Sequence, residues 1–167
     1  MVAAGDEARA AGHGKGRVMS EPQSASVGRR WILFAAALGF LSVLTGAFGA
    51  HGLKGHLQAT LEAAKAAERL AVWETGCRYA AYHALALLAL GALAPRLSAK
   101  AQGVAGWGFL SGTLVFSGTL WLLVLSGKTW LGAITPLGGT ALLVGWVALG
   151  VAARGPGGGA GVTALGG

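Results

Sequence analysis

The sequence predicts an all-α fold: an integral membrane four-helix bundle with an amphipathic surface helix between spans 1 and 2. Only 11% of its 167 residues are charged and 54% are hydrophobic, whereas an ordinary soluble domain carries about 25% charged residues. In addition, four long runs contain no charged residue at all. So few charges cannot cover the surface of a water-soluble globule, but they suit a chain that is surrounded by lipid.

The uncharged runs define the four spans. A helix needs about 20 apolar residues to cross a bilayer, and the spans predicted on this basis are about 31–50, 77–96, 104–125 and 130–153. The second run is the shortest, so its span is completed either by starting at Cys77 with Arg78 snorkelling toward the headgroups, or by continuing past Pro95. The short links between spans 2 and 3 and between spans 3 and 4 predict antiparallel neighbours.

The link between spans 1 and 2 is longer and has the pattern of an amphipathic helix over about 56–75. One helical face carries Leu57, Leu61, Ala64 and Ala71, and a second face carries Gln58, Glu62, Lys65 and Arg69. An apolar face beside a charged one is typical of a helix that lies at the membrane surface or caps the bundle.

The two ends of the chain differ from the spans in composition. Residues 1–28 are rich in Ala, Gly, Ser and charge, which predicts a disordered extension, and Met19 heads a segment that offers a second plausible start. The membrane domain is expected over 29–154, followed by a Gly-rich disordered tail over 155–167. The first apolar run is longer than the core of a signal peptide, which has roughly 7–15 residues, so span 1 is expected to stay uncleaved.

Net charge and cysteine content exclude several classes of protein. The formal net charge is +7, but the Lys and Arg residues lie scattered at the edges of apolar runs. No basic stripe interleaved with aromatic residues points to nucleic-acid binding. Cys77 is the single cysteine of the sequence, which excludes an intrachain disulfide and a multi-cysteine zinc site.

The distribution of cations predicts the orientation in the cytoplasmic (inner) membrane. The side that holds both termini carries Lys15, Arg17, Arg29, Arg30, Arg96, Lys100 and Arg154, and the other side carries Lys54, Lys65, Arg69, Arg78 and Lys128. This excess predicts cytoplasmic termini. A start at Met19 removes the first two cations, and the Arg29–Arg30 pair next to span 1 then decides the orientation.

Five polar residues are expected to form a cluster at one membrane face: His51, Glu74, Arg78, Tyr79 and His83. Glu74 and Arg78 are four residues apart in the order that favours an ion pair on one helical turn. His83 lies within a span, and an ionisable group there is a functional candidate. Its structural interpretation is a neutral imidazole bonded to a hydroxyl or carbonyl on a neighbouring helix. A His51–His83 pair that ligates haem or a metal is an alternative without supporting ligand spacing, so no cofactor is expected.

A helix break in the fourth run is the second candidate site, formed by Thr135, Pro136, Gly138 and Gly139. Proline removes a backbone donor and glycine lowers helix propensity. The break is interpreted either as a kink that neighbouring helices satisfy, or as a broken helix that binds a small ligand, as in transporters. Close-packing seams of small residues are predicted at Ser42, Gly46 and Ala50, at Gly108 and Gly112, and at Ala141 and Gly145.

Four segments, GAFGAHGL, WETGCRYAAYHALALL, FSGTLWLL and LGAITPLGGTALLVGW, follow one another within about 34–146. In this order and spacing they resemble the bacterial inner-membrane proteins grouped as domain of unknown function 423, relatives of a eukaryotic protein named transmembrane protein 256. The family pattern includes the positions of His51, Tyr79, His83, Ser117, Gly118, Pro136, Gly138 and Gly139. Trp121 stands where relatives usually have Tyr. The resemblance implies a polytopic membrane protein and supplies no reaction.

The function expected from the sequence is that of a small polytopic, non-enzymatic membrane protein, a structural component or a partner subunit. No nucleophile–base motif, phosphate-cradling loop or pair of intramembrane carboxylates indicates catalysis. The first alternative is a small-solute or proton transporter that uses the helix break and His83. The second is a haem- or metal-binding redox protein. The expected associates are the lipid bilayer and either a membrane-protein partner or further copies of the chain, and not nucleic acid.

Overall fold

The computed structural model describes residues 23–154, which form helices joined by short turns. In chain order these are α1 (Gln23–Phe48) with a π-helical extension (Gly49–Leu53), α2 (Lys54–Thr60), α3 (Ala63–Ala92), a 3-10 turn (Ala94–Arg96), α4 (Ala99–Ser126), a 3-10 helix (Thr129–Ala133) and α5 (Thr135–Ala152). The all-α prediction is confirmed, and these residues contain no β-strand. Residues 23–28, expected to be disordered, already belong to α1. The remainder of the predicted extension and the predicted tail lie outside the described residues.

Three segments are long and apolar enough to cross a membrane: Ser26–Thr60, Ala99–Ser126 and Thr129–Ala152. They correspond to the predicted spans 1, 3 and 4. The predicted second span corresponds to α3, which is not among these three segments. Its first half carries charges, and its uncharged part, residues 79–92, is shorter than the roughly 20 residues that a spanning helix needs. Four long helices therefore form the bundle, and α3 differs from the other three in its charge.

Helix α3 runs antiparallel to α1 and occupies a central position between α1 and α4. The two helices touch near both ends, because Gly28 lies against Gly91 and Gly49 lies against the indole of Trp73. Between these contacts, the Ser42 hydroxyl donates to the Cys77 carbonyl at 3.0 Å. On its other side α3 packs against α4, and α5 packs chiefly against α4. The long helices thus follow the order α1, α3, α4, α5 in space.

The predicted amphipathic helix is divided between two elements. Its first part ends at Thr60 as α2, where Leu61 turns to extended backbone (φ −127°, ψ 156°). Its second part is the beginning of α3, which continues for 30 residues without interruption, about 45 Å. Leu57 belongs to one buried cluster with Trp73, and Leu61 packs against that cluster, as expected for a helix that caps the bundle. Ala64 and Ala71, the other two residues of the predicted apolar face, are exposed.

Helices α4 and α5 approach each other closely at their glycines. A Cβ placed on Gly108 would lie 2.9 Å from the Gly145 Cα, and one on Gly138 would lie 2.5 Å from the Phe116 backbone nitrogen. The small-residue seams predicted on these two helices therefore face each other. On α1 the seam differs: Ser42 is buried, but a Cβ placed on Gly46 would meet no atom of another helix within 4 Å. Residues four apart drift around a helix of 3.6 residues per turn, so Gly49, two full turns after Ser42, takes the contact instead.

The predicted helix break is the start of a helix. A 3-10 helix ends at Ala133, and α5 begins at Thr135 with Pro136 in its first turn. A first-turn backbone nitrogen has no intrahelical acceptor, so proline costs nothing there. The Thr135 hydroxyl lies 2.9 Å from that of Thr119, and this bond ties the new helix to α4. Neither a mid-helix kink nor an unwound segment forms at these residues.

Candidate functional site: a cleft between α3 and α5

A cleft of about 770 Å³ lies between α3 and α5, with α4 as its floor. The α3 wall includes Tyr79, Tyr82 and His83, and the α5 wall includes Pro136, Gly139, Thr140 and Trp146. Phe116 contributes the floor from α4. The two features that the sequence singled out separately, the histidine of span 2 and the proline–glycine segment of span 4, therefore line one space.

His83 is held in this cleft by two hydrogen bonds. Its side chain is only 4% exposed. The Trp146 indole N–H donates to Nε2 at 3.2 Å, and Nδ1 lies 2.8 Å from the Tyr79 carbonyl oxygen. An indole nitrogen can only donate and a carbonyl oxygen can only accept. The ring must therefore carry its proton on Nδ1 and a lone pair on Nε2, which is a neutral imidazole. Its partner on the neighbouring helix is an indole rather than the hydroxyl or carbonyl expected from the sequence.

Aromatic rings surround the histidine. The His83 ring centre lies 5.6 Å from that of Phe109 and 6.0 Å from that of Tyr79, and the Tyr79 ring lies 4.5 Å from that of Phe116. Tyr79 and His83 are one turn apart on α3, and the two phenylalanines are two turns apart on α4, so each pair lies on one helical face. The result is an apolar aromatic site whose imidazole already has a partner on each nitrogen.

His51 lies away from this site. It is exposed in the π-helical extension, where the neighbouring Gly49 packs on Trp73. His83 follows Trp73 by ten residues along α3, which is about 15 Å. The two histidines therefore do not meet and cannot ligate one iron. Within residues 23–154, no three His, Cys, Asp or Glu side chains come together in a group that could hold a metal ion.

Glu74 and Arg78 are both exposed on α3, deeper in the bundle than the membrane face where they were expected. Arg78 follows Cys77, whose carbonyl accepts a hydrogen bond from Ser42 on α1. Ser42 is midway between Arg30 and Lys54, the charged residues on either side of the uncharged stretch that begins in α1. Arg78 therefore lies near the middle of that uncharged stretch. The Arg78 guanidinium lies 3.5 Å from the Thr75 hydroxyl. In the described part of the chain it forms no ion pair with Glu74. The charge pattern had indicated a span that begins near residue 77, whereas α3 contacts α1 and α4 well before that residue.

Two residues with clear structural roles carried no recognisable signal in the sequence. Trp146 is one of six tryptophans in the sequence, and its bond to His83 joins residues 63 positions apart. Arg69 was read as part of a charged face, yet its Nη1 donates to the Leu123 carbonyl at 3.1 Å. That carbonyl lies in the last turn of α4, where a cation complements the helix dipole.

The family model described as Protein of unknown function (DUF423) matches residues 45–139. This range runs from the last turn of α1 through Gly139, and it contains the α3 wall and the floor of the cleft. The chain belongs to this family. The match to the family model ends before Trp146. The matched range therefore includes His83 but not Trp146, whose indole bonds to it.

Several relatives of this DUF423 protein are named as membrane proteins. It is 41% identical to the UPF0382 membrane protein YwdK of Bacillus subtilis (strain 168) over 74% of this chain and 94% of the relative. It is 40% identical to the UPF0382 membrane proteins of Staphylococcus aureus (strain bovine RF122 / ET3-1), over 71% of this chain and 90% of the relative, and of Staphylococcus saprophyticus, over 71% and 92%. No solved structure matches the chain. The protein is thus a membrane protein of an uncharacterised family, and these relatives' names state no reaction.

The hydrogen bond between His83 and Trp146 is expected to couple the two residues energetically. Trp146→Phe removes the donor and keeps a ring, and His83→Ala removes the acceptor. Interhelical hydrogen bonds in membrane proteins contribute about 0.6 kcal/mol on average and up to about 1.7 kcal/mol. We expect a coupling free energy in this range from a double-mutant cycle, measured by unfolding in mixed micelles. The control is the cycle of His51→Ala with His83→Ala. Because these two residues do not touch, their effects on the free energy of unfolding should add. Additive effects for Trp146 and His83 would contradict the bond.

Proposed function

We propose that this DUF423 protein is a non-enzymatic subunit of a complex in the cytoplasmic membrane, where a helix of another protein chain covers the exposed face of α3. The observation that supports this proposal is the depth of Glu74 and Arg78. Both side chains are exposed, and Arg78 is level with Ser42, midway along the uncharged part of α1.

The other long helices show why this surface is unusual. Stretches 31–53, 101–127 and 129–153 contain no charged residue, and at mid-depth they expose large apolar side chains such as Phe40, Leu114 and Leu143. A charged side chain at the centre of a span costs about 2.5–3.5 kcal/mol on insertion scales, and such residues almost always face protein or water. A partner helix over α3 removes this cost by taking both charges out of lipid.

The same depth supports an orientation with cytoplasmic termini. The end of the bundle that holds both described termini carries Arg29, Arg30, Arg96, Lys100 and Arg154, and the opposite end carries Lys54, Lys65, Arg69 and Lys128. Because Arg78 lies at mid-depth, its charge is not included in the number of cations at either end of the bundle. The balance of cations then favours the end with the termini even without the residues before Gln23, which supports an orientation with that end inside.

Site-specific photocrosslinking tests the proposal. A benzophenone amino acid replaces Tyr82 on the exposed face of α3 or, as the control, Phe40 on α1. Both positions hold exposed aromatic side chains, 56% and 71% respectively. They also lie at similar depth, since Ser42 bonds to Cys77. In intact membranes, position 82 should give a discrete protein adduct and position 40 none. Equal results from the two positions would overturn the proposal.

Small-solute or proton transport is the second candidate function. It is favoured by one observation: His83 and Pro136, the two elements expected to serve transport, line the same cleft. Proteoliposomes loaded with a pH-sensitive dye provide the test. Transport predicts proton flux above that of empty liposomes, lost in His83→Ala, and flux equal to the empty control would eliminate proton transport.

A further inference from the structure

We infer that the partner covering α3 is a second copy of this chain, related by a two-fold axis along the membrane normal, with Glu74 of each copy paired to Arg78 of the other. The inference rests on the proposed function and names its partner. It draws on the order of the two charges along α3, the direction of the arginine side chain and the residues that surround them.

The charges are arranged for pairing between copies. Glu74 and Arg78 are four residues apart, about 6 Å along the helix axis. The Arg78 side chain spans this distance, because it extends toward the start of α3 and its Nη2 lies 3.5 Å from the Thr75 hydroxyl. A two-fold axis along the membrane normal places equal residues at equal depth. Each guanidinium then lies level with the carboxylate of Glu74 on the facing copy.

A second copy satisfies both charges at once. In a two-fold interface, residue i contacts residue j and j contacts i, so one acid and one base per chain leave no charge unpaired. A different protein would have to supply its own base and acid at the same two depths. Within the described residues neither Glu74 nor Arg78 has an ion-pair partner in its own chain, so both remain available to the facing copy.

The surface around the charges allows two α3 helices to approach. Ala67 and Ala71 precede Glu74 on the exposed stripe, and Tyr82 and Leu85 follow Arg78 on it. Small residues permit close helix contact, and Tyr82 and Leu85 add apolar area on the other side of the charges. The charges thus lie inside the contact, where lipid is excluded and an ion pair with good geometry is stronger than at a water-exposed surface.

Charge reversal in the full-length chain tests the pairing. Glu74→Arg gives each chain two cations on the stripe, and Arg78→Glu gives each chain two anions. Like charges then face each other across the axis, and each variant alone should lose at least about tenfold in dimer affinity, measured by energy transfer in bicelles. When the two variants carry different tags and are mixed, every cation meets an anion. The mixed dimer should form with affinity close to wild type, which also shows that both variants are folded. Lys128→Glu, outside the stripe, should leave dimerisation unchanged.

The outcomes separate the inference from the proposed function. A wild-type chain that stays monomeric in bicelles, or a mixture that fails to recover the dimer, overturns the second copy as partner. An adduct at position 82 with a mass other than that of two copies does the same, yet supports the proposed function. The absence of any protein adduct at that position overturns both.

Discussion

Gly138→Ala is expected to destabilise the protein by about 3 kcal/mol or more, although it adds a single methyl group. The new Cβ would lie 2.5 Å from the Phe116 backbone nitrogen, 2.8 Å from the Phe116 Cα and 2.9 Å from the Gly112 carbonyl oxygen. All three are backbone atoms of α4, so no side-chain rotation relieves the overlap and the helices must separate. Overpacking of a well-packed core costs typically 1–3 kcal/mol and occasionally more. Titration with a denaturing detergent in mixed micelles, followed by circular dichroism, measures the change.

Gly150→Ala on the same helix is the matched control. Its Cβ would meet no atom within 4 Å, and alanine has the higher helix propensity. This variant should be as stable as the wild type or slightly more stable. If both substitutions had the same effect, the close contact between α4 and α5 would be absent in the folded protein.

Trp73→Ala is expected to cost about 3–5 kcal/mol, the usual range for truncating a fully buried tryptophan. Trp73 is 3% exposed, and its indole N–H donates to the Thr45 carbonyl at 2.9 Å. Its ring centre lies 5.6 Å from that of Phe48 and 6.0 Å from that of Trp121. The side chain therefore joins α3 to α1 and α4 at once, and alanine would leave a cavity where the three helices meet.

A graded series separates the packing of Trp73 from its hydrogen bond. Trp73→Phe keeps most of the ring and loses the donor, so it should cost an intermediate amount. Trp130→Ala is the control, because Trp130 is 60% exposed and its truncation should cost less than about 1 kcal/mol. The same micelle titration applies to all three variants. Equal losses for Trp73→Ala and Trp130→Ala would show that the junction of the three helices does not stabilise the fold.

Periodicity and the lack of charge were sufficient to predict the helical class and three of the spans. They located α3 poorly, since a charge within a span is indistinguishable in sequence from a charge at its end. Arg78 was interpreted as the boundary of a short span, whereas the bond between Ser42 and Cys77 shows that it lies deeper. Likewise Pro136 is a helix breaker by composition, but whether a proline interrupts a helix or begins one depends on the residues before it.

The sequence predicted some residues of the candidate site, but it did not predict how they are arranged in space. Tyr79 and His83 were both expected in the polar cluster; they are one turn apart on α3, and their ring centres lie 6.0 Å apart. His51 was grouped with them because loop ends on one side of a membrane were assumed to converge. His51 and His83 lie at different depths along the bundle axis. The spacing of residues in the sequence does not give the relative depth of residues on different helices. Trp146 could not be found, because its partner lies on a helix 63 residues away.

The charged first half of α3 also bears on how the chain enters the bilayer during synthesis. Within the described residues, the segments with sufficient length and apolarity to partition into lipid as single helices are those that contain α1, α4 and α5. An arginine at the centre of a translocating segment opposes its release from the translocon. Ser42 and Thr45 of α1 bond Cys77 and Trp73 of α3 in the folded protein, and α1 leaves the ribosome before α3. We therefore expect α3 to enter the bilayer beside α1 as one arm of a helical hairpin, so that the order of synthesis sets the order of assembly.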